Sequence, residues 1–309
     1  MAEQPKKISV VIPVYNASSV LYELQKKIES VFSEIATPYQ LVFVDDCSKD
    51  DSWSVIKDIK SKFPDKITAI RLAKNFGQHN AISCGFHYCA GDYVITMDDD
   101  MQHPAEEIPK LIKCAVETGA DLVYGISDNY KRSMARNAFS RLFKVTTRMS
   151  STSTSEGSSF RLLKKSLVKK IISHNQQFVF IDELASWYTS NIQFVNVTHN
   201  TSALKESRYT GSKLMRLYFN LVFGYNGTLL KIITYLGISS SFISFLVGVF
   251  FLIKKIFFNV RVGFTGIVVS ITFTAGVILL SIGIIGEYMR RMYNILNAQP
   301  QHSIGEILE

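Results

Sequence analysis

Two long stretches without a formal charge constrain this chain more than any other feature: Ile232 to Ile253, 22 residues, and Val262 to Gly286, 25 residues. Each reaches the roughly 20 residues an α-helix needs to cross about 30 Å of hydrocarbon. Lys254 to Arg261 between them has room only for a tight turn, so the pair predicts a helical hairpin. Two buried helices of a soluble core are the competing reading, but core helices of that length ordinarily carry a charged face. An even number of crossings leaves both flanks on one side. Lys205, Arg208, Lys213, Arg216, Lys231, Arg290 and Arg291 lie on those flanks, against Lys254, Lys255 and Arg261 in the turn. This excess predicts a multi-pass membrane protein with its bulk domain and both termini in the cytoplasm. The amphipathic stretch Ser212 to Lys231, with Tyr218, Phe219, Phe223 and Tyr225, is expected to lie in the interface. An ordinary core helix is the alternative there.

The remaining composition is that of a folded protein. The 309 residues carry 34 Lys+Arg against 26 Asp+Glu, a net charge of +8, and only 19% are charged, with 17 Gly and 7 Pro. Those values exclude disordered and collagen-like classes. Cys47, Cys84, Cys89 and Cys114 form no C-x-x-C pair, so neither a disulfide framework nor a zinc site is expected. Met1 to Lys7 leads straight into a strand-like run, and no cleaved signal segment is expected. The charge is uneven: net −3 over residues 1–100, +5 over 101–200 and +6 over 201–309. From Lys131 to Lys170 there are 11 basic side chains and one acid, Glu156. Such a stretch suits lipid headgroups or a phosphate ligand. Nucleic acid is not expected as a partner, because a groove-reading module would not ordinarily be joined to a membrane hairpin.

The first hundred residues alternate strand and helix. Ile8 to Tyr15, Leu41 to Asp46, Ile67 to Leu72 and Tyr93 to Met97 read as buried strands; Val20 to Ile35, Ser52 to Phe63 and Asn80 to Cys89 read as helices. This rhythm predicts an α/β fold with a parallel sheet. Two acidic clusters, Asp45-Asp46 and Asp98-Asp99-Asp100, fall at the carboxyl ends of strands, where such sheets bind ligands. Three consecutive carboxylates repel one another, and a divalent cation would supply the missing counter-charge through oxygen ligands. Asp98 and Asp100 share one side of an extended segment, and Gln102 continues it. An acidic loop capping a helix near Pro104 is the plainer alternative. The chain contains no Gly-x-Gly-x-x-Gly, Walker A, His-Glu-x-x-His or Gly-x-Ser-x-Gly pattern, which leaves dinucleotide, P-loop, zinc-protease and hydrolase-elbow chemistries unsupported.

Four motifs in order carry a resemblance: Val10-Val-Ile-Pro13-Val-Tyr15-Asn16, Val44-Asp45-Asp46-Cys-Ser48-Lys-Asp50, Asn75-Phe-Gly77-Gln78-His79-Asn-Ala81, and Gly91-Asp92 through Asp98-Asp99-Asp100-Met-Gln102-His103-Pro104. Together they resemble family 2 glycosyltransferases with a GT-A fold. More narrowly, the chain resembles polyprenyl-phosphate glycosyltransferases: dolichyl-phosphate mannose synthases, bacterial glucosyl relatives and the aminoarabinose transferase of lipid A modification. The resemblance covers nearly the whole length. It implies a cytoplasmic GT-A domain over residues 1–211, interfacial helices over 212–231, two transmembrane helices over 232–286 and a cytoplasmic tail over 287–309.

It further implies an inverting transfer of a sugar from a nucleotide diphosphate, UDP above all, to undecaprenyl or another polyprenyl phosphate for cell-envelope glycan modification. By that resemblance Pro13, Tyr15, Val44 and Asp46 surround the nucleotide base, with Asp46 accepting from a ring N–H. Asp98, Asp100 and Gln102 hold Mg²⁺ or Mn²⁺ against the donor diphosphate, and Asp99 lines the same pocket. Arg136 grips the acceptor phosphate and is placed with Asp100 in the catalytic set, while Arg208 and Lys213 match the basic pair of a signature written R-x-x-G-x-S-K. A homo-tetramer is implied in the same way. The chain departs from the family at four places: Ala17 stands for a usual Glu, Ile126-Ser127-Asp128 lacks a usual Arg, the Arg208 signature is one residue short, and Ser158-Ser159 replaces a Gly-Asp pair. The acid proposed as a base in relatives is therefore Ser159 here, and Glu156 is the nearest acidic candidate. A processive polysaccharide synthase would need a Gln-x-x-Arg-Trp motif, which is absent; a non-catalytic nucleotide-sugar-binding scaffold would have no use for the intact Asp98, Asp100 and Gln102.

Overall fold

The computed structural model of the chain describes residues 5–126, 158–174, 180–198, 200, 263–296 and 300–309, and the single positions 235, 239, 242, 246, 250, 253 and 257. The chain divides into two compact units. One comprises Met1–Ser140, Met149–Arg208 and Ala298–Glu309; the other comprises Arg141–Arg148 and Tyr209–Asn297.

In the first unit, β1 (Ile8–Val14), β2 (Tyr39–Asp45), β3 (Ile67–Leu72) and β4 (Tyr93–Thr96) alternate with α1 (Leu21–Glu34), α2 (Ser52–Lys62) and α3 (Gln78–Phe86). A 3-10 turn, Ala105–Glu107, leads into α4 (Ile108–Thr118), followed by β5 (Leu122–Ile126), β6 (Arg161–Lys164), α5 (Lys165–Ile172), α6 (Ile181–Tyr188) and β7 (Ile192–Asn196). The last described strand is β8 (Ile304–Leu308). Every residue of β1, β2 and β4 is buried, as expected for parallel strands covered on both faces. Helix α1 buries Leu21, Leu24, Ile28, Val31 and Phe32, a stripe at helical spacing, against this sheet. Helix α4 stops at Gly119, whose left-handed φ of 66° closes its last turn.

The eight strands of the described residues form one sheet in the order β7-β5-β6-β4-β1-β2-β3-β8. Strands β1 to β4 run parallel, as the alternating pattern predicts. The sheet as a whole is mixed, which corrects the expectation of a parallel one. β6 runs antiparallel to both β4 and β5, and β8 runs antiparallel to β3. Both exceptions are strands of four or five residues, too short for alternation to announce them.

Helix α7 (Phe264–Leu296) continues beyond Gly286 into the segment expected as a tail, and β8 then joins the edge of the sheet. Ala73 N–H donates to the Ser303 carbonyl at 2.8 Å, and Trp53 Nε1–H donates to Glu306 Oε2 at 2.8 Å.

In the second unit, Tyr235, Phe242, Leu246, Phe250, Ile253 and Phe257 are helical and exposed. Phe242, Leu246, Phe250, Ile253 and Phe257 follow at intervals of three or four residues, the spacing of side chains that share a helix face. On α7, Ile271, Ile278, Leu279, Ile282 and Met289 are exposed as well. Among the described residues no helix is long and apolar enough to cross a membrane.

Strand β1 and the start of β4 approach so closely at Gly91 that a side chain has no room. A Cβ there would meet Ser9 N at 2.5 Å, Ile8 C at 2.8 Å and the Tyr93 carbonyl O at 2.8 Å, all main-chain atoms. Gly91→Ala is therefore expected to destabilise the first unit by about 1–3 kcal/mol, the usual range for overpacking, or more because backbone must move. A urea midpoint unchanged from wild type would contradict this reading of the β1–β4 contact.

Candidate active site

The order β4-β1-β2-β3 places the reversal of strand order between β1 and β4. Loops leaving the carboxyl ends of adjacent strands diverge there and open a crevice. Three such loops meet: residues 15–19 after β1, 46–51 after β2 and 97–104 after β4.

The β1 and β2 loops are knitted together by main-chain N–H groups donating to side chains. Asn16 N donates to Ser48 Oγ (3.0 Å), Ala17 N to Ser52 Oγ (2.9 Å), Ser18 N to Asp50 Oδ2 (3.1 Å), and Lys49 N returns to Asn16 Oδ1 (2.8 Å). Asn16 and Cys47 adopt positive φ of 54° and 57°, conformations that short loops of this kind exploit. Tyr15 N donates to Asp99 Oδ2 at 3.1 Å, so the side chain of Asp99 bridges the crevice from the β4 loop to the β1 loop.

The carboxylates of the β2 loop have separate roles. Asp45 is fully buried, accepts from Ser48 N and lies 3.3 Å from Arg71 Nε. Asp46 is buried, with Oδ1 accepting from Phe76 N at 2.7 Å and Oδ2 from Gly77 N at 2.8 Å. Gly77 has a φ of 90°, which L side chains rarely adopt, and it turns the chain into α3. A base N–H would share an Asp46 oxygen already engaged in holding that turn. Pro13 pairs with Val44 in register, and Val44 is fully buried and faces Gly85 of α3.

Burial pushes Asp46 up to about 6 from an ordinary 3.8, against the lowering effect of the two amides. The folded state therefore holds this proton more tightly than the unfolded chain. The resulting stability is complete below about pH 3.8 and is lost as pH rises through about 6. His79 works in the opposite sense: burial first, and then Arg161, lower it to about 4, so its contribution is present above 6.5 and lost as pH falls through about 4. Asp46→Asn is expected to remove the first slope, leaving a variant whose unfolding free energy falls less than that of wild type between pH 4 and pH 7. Parallel pH profiles for the two proteins would show that Asp46 is not desolvated.

The β4 loop carries the densest negative charge. Asp98 accepts from Ser159 Oγ at 2.6 Å on Oδ2 and from Gln78 Nε2 on Oδ1. Burial pushes Asp98 up to about 6, and the charges of Asp100 and Asp99 add to that. Asp100 Oδ1 accepts from Gln102 N at 3.0 Å, and the Gln102 carbonyl accepts from Asn200 N at 2.9 Å. His103 stacks on Phe160 with ring centroids 5.3 Å apart, which fixes the far end of the loop.

Beneath Asp98 lies a buried polar network that the sequence reading did not identify. Arg161, 1% exposed, donates from Nε to Thr96 Oγ1 at 3.0 Å and from Nη1 to Asp182 Oδ1. Tyr124 OH donates to the same Asp182 oxygen at 2.7 Å, and Thr96 Oγ1 donates to the Ser159 carbonyl at 2.6 Å. An Arg within an apolar Phe-Arg-Leu-Leu run was the available signal, since such a residue stays buried only when paired.

Thus Pro13, Tyr15, Val44, Asp46, Asp98, Asp99, Asp100 and Gln102 are drawn from three adjacent loops and strand ends. Arg136, Glu156, Arg208 and Lys213 lie outside the described residues. Among the described residues no group of three or more His, Cys, Asp or Glu side chains is arranged to hold a metal ion.

Comparison with known proteins bears on the whole arrangement. The family model for Glycosyl transferase family 2 matches residues 9–178. The undecaprenyl-phosphate 4-deoxy-4-formamido-L-arabinose transferase of Pseudomonas paraeruginosa is 33% identical over 306 residues, which is 97% of this chain and 90% of that protein. The enzyme of the same name from Pseudomonas aeruginosa strain LESB58 is 32% identical over the same shares. Among solved structures, glucosyl-3-phosphoglycerate synthase from Mycobacterium tuberculosis with Mn²⁺, uridine-diphosphate-glucose and phosphoglyceric acid aligns with a TM-score of 0.51 at 15% identity, covering 73% of this chain and 79% of that one. The mannosyltransferase of Pyrobaculum calidifontis, bound to GDP-Man and Mn²⁺, gives 0.50 at 15% identity over 72% and 64%. Those two likenesses concern the fold of the sheet domain. With the family match over more than half the chain, they lead to one conclusion: the chain belongs to glycosyl transferase family 2 and is a glycosyltransferase with a GT-A fold.

Proposed function

We propose that this enzyme transfers a sugar, with inversion, from a UDP-linked donor to a polyprenyl phosphate at the membrane surface. The observation that carries the reading is the Asp98–Gln102 loop at the strand-order reversal, in a chain matched over 97% of its length by undecaprenyl-phosphate transferases.

The residues fit a divalent cation of the diphosphate-bridging kind. Mg²⁺ sites commonly use one or two carboxylates and take their other oxygens from substrate phosphates, so a closed protein cage is not required. Asp98 is desolvated beside two further carboxylates, and the donors on its own oxygens, Ser159 and Gln78, are neutral. Asp98 and Asp100, with Gln102, would hold the ion. When bound, it supplies charge neutralisation to the departing diphosphate. Asp99 and Asp46 keep the base-side loops in place through Tyr15, Phe76 and Gly77.

The acceptor makes few demands on a base. A phosphate monoester has a second pKa near ~6 and is largely dianionic at neutral pH, so Ser159 in place of an acid is compatible with attack by a phosphate oxygen. The harder task is bringing two anions together, for which Arg136, Arg208 and Lys213 are the proposed cations.

The second unit is proposed to cross the bilayer twice. The support is the uncharged runs of the sequence together with exposed apolar side chains on α7 and at Tyr235, Phe242, Leu246, Phe250, Ile253 and Phe257. β8 pairs with β3, so the chain between β7 and β8 must return to the side it left, and any crossings are even in number.

The test uses the full chain in detergent, with UDP-4-deoxy-4-formamido-L-arabinose and other UDP-sugars, undecaprenyl phosphate and Mn²⁺. UDP release that requires both the metal and the lipid, with a glycolipid of the expected mass, is the anticipated result. UDP release without lipid would instead indicate a hydrolase or a soluble acceptor.

A further inference from the structure

Resting on the metal-dependent reading above, we propose that Ser159 is a positioning residue for the Asp98 carboxylate, and that Arg161 fixes Ser159 in turn through Thr96. The hydrogen bonds form one continuous path. Tyr124 and Arg161 both donate to Asp182, Arg161 Nε donates to Thr96 Oγ1, Thr96 Oγ1 donates to the Ser159 carbonyl, and Ser159 Oγ donates to Asp98 Oδ2.

Each link has a reason to be rigid. Thr96 and Arg161 face one another across the antiparallel β4–β6 pair and are 0% and 1% exposed. Asp182 stands in the first turn of α6, so its carboxylate also favours the helix N-terminus. Ser159 is carried on the segment entering β6, where Phe160 N donates to Ser158 Oγ at 3.2 Å and Phe160 is fully buried. The hydroxyl therefore reaches Asp98 from a fixed backbone and leaves the carboxylate little choice of rotamer. Gln78 holds the other oxygen from the start of α3. Ser159 is assigned to act through Asp98, whose Oδ2 its hydroxyl contacts. Outer partners that orient a ligating carboxylate typically contribute 10–100-fold to metal affinity or activity.

The experiment compares the full-length detergent-solubilised wild type with Ser159→Ala and Ser159→Thr. Free Mn²⁺ is followed by electron paramagnetic resonance during titration in the presence of UDP, and steady-state kinetics are measured in parallel. Ser159→Ala is expected to bind Mn²⁺ roughly 10-fold more weakly, to lose kcat, and to keep the wild-type KM for undecaprenyl phosphate. Ser159→Thr, which retains the hydroxyl, is expected to restore both. Ser159→Ala with wild-type Mn²⁺ binding would overturn the proposal while leaving the enzyme's activity as read. The same holds for Ser159→Thr as defective as Ser159→Ala. Wild type that binds no Mn²⁺ with UDP would overturn the metal assignment and this proposal together.

Discussion

Turnover by the Asp100→Ala variant is expected to fall by about 10²–10³-fold or more, the loss ordinarily seen when a group stabilising developing negative charge is removed. Asp100 sits in a partly exposed loop, where its Oδ1 accepts from Gln102 N. Little stability rests on it, because an N–H in an exposed loop can turn to water at a net cost of about 0.5–1.5 kcal/mol. The variant should therefore melt near the wild-type temperature while failing to transfer sugar, and raising the Mn²⁺ concentration should recover only part of the rate. Activity within threefold of wild type at saturating metal would remove Asp100 from the chemistry.

The second large effect concerns folding. Arg161→Met preserves most of the stem but removes the cation that pairs with Asp182 and the donor to Thr96. Breaking a buried ion pair from one side typically costs 3–5 kcal/mol, because the partner charge is left without compensation. The full chain has two tryptophans, Trp53 and Trp187, and both belong to the sheet-containing unit. Their fluorescence during urea unfolding therefore reports on that unit while the apolar helices stay in detergent. A midpoint shift equivalent to less than about 1 kcal/mol would show that the pair is solvated in the native state. Adding Asp182→Asn should recover part of the loss, since the stranded charge disappears with it.

These two residues mark different degrees of legibility. The Asp98–Asp100 cluster could be found without a structure because consecutive carboxylates at the end of a buried strand are costly and call for a counter-charge. Arg161 shows locally only as a charge in an apolar Phe-Arg-Leu-Leu run, which signals a buried pair without naming the partner. Its charge is tolerated by virtue of Asp182, twenty-one positions later, and Thr96, sixty-five positions earlier. Ser159 stood out as a departure from the family pattern, and its bond to Asp98 appears only when β4 and β6 lie side by side. The resemblance places Asp46 at the nucleotide base, and the structure adds a second task for it, since both its oxygens support the turn at residues 76–77. Hydrogen bonds from main-chain N–H groups leave no trace in residue identity.

The fold divides along the same line. The strands and helices up to residue 97 follow from runs of β-branched residues, helical periodicity and the turn residues between them, all set by neighbours within a few positions. The antiparallel placement of β6 and the return of the C-terminal segment as β8 do not follow from such signals. Each is a short strand whose stability comes from a partner elsewhere in the chain, Tyr93–Thr96 for β6 and Ala69–Leu72 for β8. The sequence alone therefore determined the α/β class and the acidic loop at the strand ends. Tertiary structure decided which neutral donors and which buried cation surround that loop, because hydrogen bonds and ion pairs act over a few ångströms of space whatever the distance along the chain.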